Sequence, residues 1–473
     1  MNDQHTRFTL HRISGMAEID ITYGTQASEA QAYIRMPQIR AFHVLALGRP
    51  VEEFPRLMAR ISGMCPWHHH LAAMLAVEDA LSVDVPPAAQ HIRELVLLLA
   101  HISAKILHIY IMSSPDISPD MAVQQNLFNS LMNASTPRAA METRCCVGRM
   151  LKALTGQDWG GEVAVLGGQS YSVRGLNMDN MHKEITAIRA FCLHGMEKAR
   201  GLLRPVFRAY QSLDNLPLIS LGGVESSGAL NLASTANTQL LRLIHPDGNS
   251  THFLARDYPA HIVEEYADWT QCAFLRLRTA AGLCLNPDTP DGVFRVGPLA
   301  RLHACAYIDT PLAQQELERF RTEYGPYPQN TMLYHWARLI ELLYCVEKVA
   351  ALLDQFDSTD EDIRTLYVPA APCATRHGFA HLEAPRGSLF YRISVDENDC
   401  ISACDILTPT ACNNAAMNIS LTHAVRESLH ARMPEHQRVP MLNACVRAYD
   451  PCPACATHAL SAQISPSPRE DLP

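Results

Sequence analysis

Two short segments near opposite ends of the chain decide the fold: residues 60–70, RISGMCPWHHH, and residues 449–458, YDPCPACATH. The second segment carries a C-x-x-C pair, Cys452 and Cys455, with His458 three residues further on. A C-x-x-C turn directs two thiolates at one point, and thiolates suit soft or borderline metals. Alone, the pair leaves four interpretations open: zinc, an iron–sulfur cluster, a redox dithiol and two core cysteines.

The composition indicates a folded chain with an acidic balance. The 473 residues include 39 Lys+Arg and 48 Asp+Glu, which gives a formal net charge of −9. Apolar residue types make up 48% and charged types only 18%, and these values exclude a disordered chain. Because no block of basic residues accompanies the acidic balance, nucleic acid is not expected as the main partner.

The cysteines and the first residues bear on location. Residues 1–8 lack the basic start and apolar run of a signal peptide, and the 15 cysteines are typical of reduced thiols in the cytoplasm. The most apolar stretch, residues 92–112, is interrupted by charged residues and histidines, which favours a buried helix over a membrane span. We therefore expect a cytoplasmic protein with no membrane span.

Hydrophobic periodicity predicts one large α+β domain, predominantly helical, with peripheral strands over residues 1–458. Residues 459–473 contain several prolines and polar residues, and this composition predicts a C-terminal tail. Extended structure is predicted for residues 8–48, 215–300 and 376–420. Helices are predicted for residues 51–60, 69–81, 88–113, 121–149, 180–213, 312–324, 330–355 and 419–432, the last of these being the final helix.

Taken together, the two segments resemble the paired motifs of nickel–iron hydrogenase large subunits. In that family the first motif is R-x-C-G-x-C-x-x-x-H and the second motif is D-P-C-x-x-C-x-x-H. Further matches are GPLAR at residues 297–301 and EAPRG at residues 383–387, so the resemblance extends over most of the chain. The sequence VRAYDPC at residues 446–452 is most similar to that of the cytoplasmic group of these hydrogenases, which includes the non-deazaflavin-reducing and the bidirectional enzymes.

The resemblance implies a nickel–iron centre whose iron carries carbon monoxide and cyanide. Cys65 and Cys455 would bridge the two metals, and Cys452 would be a terminal nickel thiolate. His69 falls at the histidine of the first motif, where a hydrogen-bonding role beside the metal ligands is expected. His458 would bind a structural magnesium ion.

Three further residues are assigned by the same resemblance. Arg386 would lie over the open metal position, where a guanidinium could polarise dihydrogen or take a proton from it. Asp450 would orient that guanidinium, and Pro385 would belong to the cofactor site.

The motifs are nevertheless degenerate. Ser62 stands where the family has a second terminal nickel cysteine, and a hydroxyl is a hard, weak ligand. Ser14 replaces a proton-relaying glutamate and cannot store a proton at neutral pH. His43 replaces a magnesium-binding glutamate, and Lys105 stands where the family has a histidine.

The resemblance implies heterolytic activation of dihydrogen, with electrons passed to further electron-transfer subunits through an iron–sulfur small subunit. It also implies maturation chaperones and a protease that removes residues 459–473, and the alternative interpretation of that tail is an ordinary frayed terminus. The substitutions at Ser14, His43 and Ser62 keep two alternatives open. One is a structural or electron-transfer subunit that does not cleave hydrogen, and the other is an enzyme for a different small substrate.

Overall fold

The computed structural model describes residues 5–117, 135–210, 215–235, 239–357, 359, 362–368 and 375–457. A π-helical turn, His108–Met112, follows directly on the helix Pro87–Leu107. The α-helices are α1 Phe42–Ala46, α2 Phe54–Met58, α3 Pro66–Leu81, α4 Pro87–Leu107, α5 Ser114–Ile117, α6 Ser135–Thr155, α7 Met178–Tyr210, α8 Pro298–Ala304, α9 Pro311–Tyr324, α10 Tyr334–Asp354, α11 Pro409–Cys412, α12 Asn414–His430, α13 Glu435–Ala448 and α14 Pro453–Ala456. The strands are β1 His5–Leu10, β2 Ala17–Thr22, β3 Gln31–Arg35, β4 Ala164–Val165, β5 Gly168–Gln169, β6 Ile219–Val224, β7 Leu240–Ile244, β8 Ser250–Leu254, β9 Ile262–Glu265, β10 Phe274–Leu277, β11 Phe294–Arg295, β12 Arg376–Ala384, β13 Gly387–Val395 and β14 Ile401–Leu407.

The expected α+β class is confirmed, but the predicted end of the helical region is wrong. Helix α13 follows the helix that the sequence predicts as the last. Pro440 lies inside α13 and its first turn is polar, so the sequence lacks a clear apolar period there. The predicted strand and loop over 376–420 stops at Leu407, where two helices begin. Part of the helix predicted for 121–149 lies outside the described residues.

Two long helices, α4 and α10, form the centre of the molecule and are buried on most of their faces. Within the described part of the chain, one helix, Pro87–Met112, is long and apolar enough to cross a membrane. Its most apolar window is 78% buried inside the protein. A helix that packs inside a protein core is apolar and buried in this way. The charged residues that interrupt its sequence favour the same interpretation.

Four buried charges join α4, α8, α10 and β12. The Arg301 guanidinium donates to Glu341 at 2.6 and 2.9 Å and to Glu383 at 2.7 Å. The Lys105 ammonium lies 3.0 Å from the Glu341 carboxylate. All four side chains are at most 1% exposed, so two cations and two anions neutralise each other in the core.

The antiparallel sheet β12-β13-β14 carries the EAPRG stretch. Ala384 pairs with Gly387, so Pro385 and Arg386 are the two loop residues of a tight hairpin. Gly387 has φ +138°, and a Cβ there would lie 2.3 Å from Val296. Only glycine tolerates this approach, and it fixes the direction of the hairpin loop.

Helix α3 packs directly on β12 at a position that also requires glycine. A Cβ added to Gly378 would lie 1.9 Å from the Ala76 carbonyl oxygen of α3. The contact lets the helix backbone approach the strand closely. The two elements thereby hold Cys65, at the start of α3, on the same side of the molecule as the hairpin loop.

We expect Gly378→Ala to lower the free energy of unfolding by about 2 kcal/mol or more, because the methyl group must push α3 away from β12. The measurement is urea denaturation of the purified protein, followed by tryptophan fluorescence. Gly201→Ala is the matched control, since nothing in the described part of the chain lies within 4 Å of its added Cβ in α7. That change should be neutral or stabilising by up to about 1 kcal/mol. Equal effects of the two changes would contradict the close helix–strand contact.

Candidate metal centre

Three cysteine sulfurs from opposite ends of the chain meet in the interior. The Sγ atoms of Cys65 and Cys455 are 3.4 Å apart, and those of Cys452 and Cys455 are 2.7 Å apart. Cys65 precedes α3, while Cys452 and Cys455 bracket the start of α14. All three are at most 7% exposed. The expected convergence of the two motifs is therefore present.

The C-terminal segment is held in place by backbone contacts with distant parts of the chain. The Thr410 hydroxyl accepts from the amide of Cys452 at 2.9 Å. The Ser14 carbonyl accepts from the amide of Ala454 at 3.1 Å, and the Arg40 amide donates to the Thr457 carbonyl at 3.0 Å. Ser14 thus supports the segment through its backbone.

Ser62 lies at the fourth corner of the site. Its Oγ is 3.4 Å from Cys452 Sγ and accepts a hydrogen bond from the Met64 amide at 3.2 Å. The side chain is 1% exposed. The family position for a fourth sulfur is therefore filled by a buried hydroxyl, which offers much weaker binding to nickel than a thiolate does.

The three thiols share their protons unequally. Burial raises the pKa of Cys452, but hydrogen bonds from Cys455, Cys65 and Ser62, with the charge of Arg386, lower it well below its ordinary value. The hydrogen bond to Cys452, with burial, raises the pKa of Cys65 to about 12. Burial likewise raises the pKa of Cys455 well above its ordinary value. Binding of a metal cation would therefore have to displace protons from two of the sulfurs.

Arg386 and Asp450 form a buried pair beside the sulfurs. Arg386 Nε donates to the Asp450 carbonyl at 2.8 Å, and Nη2 donates to Asp450 Oδ1 at 3.0 Å. Arg386 Nη1 is buried and has no hydrogen-bond partner among the described residues. Burial lowers the pKa of Arg386, but Asp450 and the three cysteines raise it more, so the guanidinium stays charged.

Asp450 has two further buried neighbours. The Nδ1 atom of His108 lies 2.9 Å from Asp450 Oδ1. Burial raises the pKa of Asp450, but Arg386 and His108 lower it more, and the net shift is downward. Arg338 also contributes to this lowering. The carboxylate is therefore ionised and can orient Arg386, as the resemblance implies.

His69 lies beside the sulfurs, as expected from its spacing. One ring nitrogen of His69 and the sulfurs of Cys65 and Cys455 all lie within 4.8 Å of one another. His69 Nδ1 is 2.7 Å from Tyr391 Oη, which fixes the ring. His70 instead bonds the backbone, with Nδ1 3.2 Å from the Pro55 carbonyl and Nε2 accepting from the Ala164 amide at 3.0 Å, so the consecutive histidines diverge as a helix requires.

Other predicted site residues are less directly placed. Pro385 lies next to Arg386 in the hairpin loop, and His43 is half-buried in α1. His458 and residues 459–473 lie outside the described residues. The magnesium site and the removable tail therefore stay predictions.

Sequence reasoning gives no role to two residues that the site uses. Tyr391 of β13 contacts His69, and His108, directly after the end of α4, contacts Asp450. Leu107 and His108 also match the nickel–iron hydrogenase pattern, and that match is the sequence signal for His108. Nothing in the local sequence marks Tyr391.

Comparison with known proteins agrees with this geometry. A family model described as "Nickel-dependent hydrogenase" matches residues 40–128 and 283–458, more than half of the chain. The chain therefore belongs to the nickel-dependent hydrogenase family, and its fold is that of a hydrogenase large subunit.

Two curated relatives illustrate the relationship. One of them, from the F420-non-reducing hydrogenase of Methanothermobacter thermautotrophicus, is 29% identical over 466 residues, 96% of this chain and 94% of the relative. The HoxS β subunit of the NAD-reducing hydrogenase of Cupriavidus necator is 27% identical over 476 residues, 95% of this chain and 93% of the relative.

Solved structures give the same result. The crystal structure of an NAD+-reducing [NiFe]-hydrogenase in the H2-reduced state superposes with a TM-score of 0.85 and 28% identity. The match covers 97% of this chain and 100% of that chain. The Ni-Fe-Se hydrogenase from D. vulgaris Hildenborough gives a TM-score of 0.74 at 20% identity, covers 97% of this chain and 100% of that chain, and supports the fold alone.

We expect Asp450→Asn to lower the free energy of unfolding by about 3 kcal/mol, because it leaves buried cationic side chains without their carboxylate. Urea denaturation of the purified protein measures this loss. Glu53→Gln is the matched control, since Glu53 and its partner Arg49 are 56% and 54% exposed. That change should cost less than about 1 kcal/mol. A loss at Asp450 no larger than at Glu53 would show that the buried carboxylate is dispensable.

Proposed function

We propose that this chain is the large subunit of a cytoplasmic nickel–iron hydrogenase that activates dihydrogen and passes electrons to an iron–sulfur small subunit. The observation that carries the proposal is the meeting of three buried cysteine sulfurs beside a charged guanidinium. Arg386 Nη1 has no partner there in the described part of the chain, although it is buried. A buried donor without a partner lowers the free energy of unfolding unless a ligand or water occupies the adjacent space.

The residues fit a nickel–iron group with one departure. Cys65 and Cys455 supply the two sulfurs nearest His69, and Cys452 supplies a third sulfur within 2.7 Å of Cys455. Sulfur donors of this number suit nickel and iron rather than magnesium or calcium. The departure is Ser62, which would leave nickel with one thiolate fewer than the family pattern.

When bound, the metal group supplies Lewis acidity that polarises dihydrogen. Arg386 stays protonated and directs Nη1 as a hydrogen-bond donor, while Asp450 holds the guanidinium by two contacts. Such a preformed donor stabilises charge without reorganisation. Burial of these groups excludes bulk water from the centre.

Exposed apolar side chains near both motifs support a docked partner protein. Trp159 is 63% exposed and lies 3.4 Å from where a Cβ of Gly63 would be. Met16 and Ile39 are 55% and 51% exposed, and the Met16 amide contacts Gln38. The relatives are themselves named as hydrogenase subunits. An electron-carrying iron–sulfur subunit on this face would lie close to the sulfurs.

Other parts of the proposal rest on the family resemblance. Maturation chaperones would deliver the iron with its carbon monoxide and cyanide, and a protease would remove residues 459–473. Further electron-transfer subunits would set the acceptor. His458 would bind magnesium, with His43 near the place of the second family ligand.

We expect the purified complex to contain about one equivalent each of nickel and iron, because three buried thiolates bind both metals strongly. Elemental analysis and infrared bands of metal-bound carbon monoxide and cyanide test this. Ser62→Cys should slow nickel loss to a chelator by about ten-fold or more, since it adds a thiolate donor. Ser62→Ala is the control and should not slow it.

Less than about a tenth of an equivalent of nickel, together with no hydrogen uptake, would contradict the proposal. If Ser62→Cys and Ser14→Glu together then restored hydrogen uptake, the chain would be a recently silenced enzyme. Iron without nickel and no gain from either change would favour the subunit that does not cleave hydrogen.

We expect Arg386→Lys to lower the kcat of hydrogen oxidation by about 100-fold, because a single ammonium nitrogen lacks the planar fork that places separate donors on Asp450 and at the Nη1 position. Hydrogen uptake with an artificial dye measures the rate, and infrared spectra confirm that the metal group is loaded. Arg392→Lys is the matched control, since Arg392 is exposed on the same hairpin. Similar rates for both variants would remove Arg386 from the mechanism.

A further inference from the structure

A group of buried polar atoms without hydrogen-bond partners among the described residues lies behind Asp450. They are His108 Nε2, both ring nitrogens of His335, Nε and Nη1 of Arg338, and Tyr110 Oη. The four side chains are at most 8% exposed. Each buried polar group without a partner costs about 1–3 kcal/mol. A cluster of this size is therefore unstable in a dry core, and internal water is the simplest partner for it.

The cluster starts at the metal centre. His108 Nδ1 is 2.9 Å from Asp450 Oδ1, and Asp450 holds Arg386 beside the sulfurs. The rings of His108 and His335 are stacked, with centroids 5.8 Å apart and planes 16° apart. Arg338 Nη2 donates to the Ala448 carbonyl at 2.7 Å. The two imidazoles thus lead away from the carboxylate.

The cluster ends at an open cleft. His335 and Tyr110 line a cavity of about 280 Å³ between the π-helical turn and α7. His194 and Lys198, which also line it, are exposed on α7. Gly195 leaves room for the Tyr110 hydroxyl, since a Cβ there would lie 1.9 Å from Tyr110 Oη. The lining is mostly apolar, and Tyr110, His335, His194 and Lys198 are among the polar side chains that can hold water there.

We propose that ordered waters along His108, His335 and Tyr110 form the route by which protons leave the metal centre for this cleft. The route rests on the proposed hydrogenase function. It would take the place of the family glutamate, because Ser14 cannot store a proton. Asp450 stays ionised and only anchors the inner end.

The proton balance along the route is simple. A proton released at the centre enters a water beside His108. His108 Nδ1–H donates to the ionised Asp450, so His108 holds this water at Nε2 without changing its own protonation. The neutral His335 ring then accepts the proton at one nitrogen and releases another from its second nitrogen to water in the cleft. Nothing is oxidised or reduced. The charged groups that face the rings are Asp450, Arg338, Arg386 and Arg447.

Both rings are neutral at rest, as such a relay requires. Burial lowers the pKa of His108 to about 4, although Asp450 opposes the shift. Burial, with Arg338, lowers the pKa of His335 well below its ordinary value. A neutral imidazole has one donor and one acceptor nitrogen, so it can pass a proton without holding a charge.

The first test measures hydration without turnover. Exchange of the C2 hydrogen of each histidine in D2O is followed by mass spectrometry on the purified complex. His70 is the matched control, because burial lowers its pKa to about 4 as well, but both its nitrogens bond the backbone. We expect His108 to exchange at least about ten-fold faster than His70. Equal rates would overturn the hydrated route.

The second test measures proton transfer. His335→Leu should lower the kcat of hydrogen oxidation by about ten-fold or more, with the KM for dihydrogen and the infrared bands unchanged, and added imidazole should restore it. Tyr110→Phe, at the mouth, should give a smaller loss in the same direction. His303→Leu is the control, because His303 is buried on α8 and bonds Ser220.

The outcomes separate the route from the proposed function. Fast exchange at His108 with an unchanged kcat in His335→Leu would overturn the proton route while leaving the hydrogenase proposal intact. A complex that takes up no hydrogen would overturn the proposed function. The exchange rates would then still decide whether the passage is hydrated.

Discussion

The structure depends on four charges buried together: Arg301, Lys105, Glu341 and Glu383. They join three helices to the strand that leads into the Arg386 hairpin. Removing one of them would leave an uncompensated charge in the core, which is far more costly than any packing adjustment. The hairpin loop, and with it the guanidinium over the sulfurs, is therefore held in one position relative to α4 and α10. Rigid support of this kind is what a preformed catalytic donor needs.

The sequence predicts the local part of the site well and the long-range part only through resemblance. The C-x-x-C spacing by itself indicates two convergent thiolates, and Cys452 and Cys455 do converge. Nothing in the spacing predicts that Cys65, 390 residues away, joins them. Helix α13 escapes prediction because Pro440 and a polar first turn hide its period. The roles of Tyr391 and His335 depend on which elements pack together, and periodicity carries no such information.

Ser62 changes the charge of the centre as well as its ligand strength. A hydroxyl stays neutral where a cysteine would be ionised by a bound metal. The three remaining sulfurs and Asp450 face Arg386 and Arg338, so the balance of the site is less negative than the family pattern would give. A less negative surrounding favours metals in lower oxidation states. The substitution therefore bears on redox behaviour even if nickel is retained.

The hydrogen bonds from Ala454 to Ser14 and from Arg40 to Thr457 close the centre with parts of the chain that the ribosome makes at very different times. Cys65 leaves the ribosome early, whereas its partner Cys455 follows 390 residues later. Bringing such distant segments together carries a loop-closure cost and is slow. Until then Cys65 lacks the two sulfurs that complete the cluster. A metal group held by all three thiolates would therefore be complete only after the C-terminal segment, with Cys452 and Cys455, has been made and has docked.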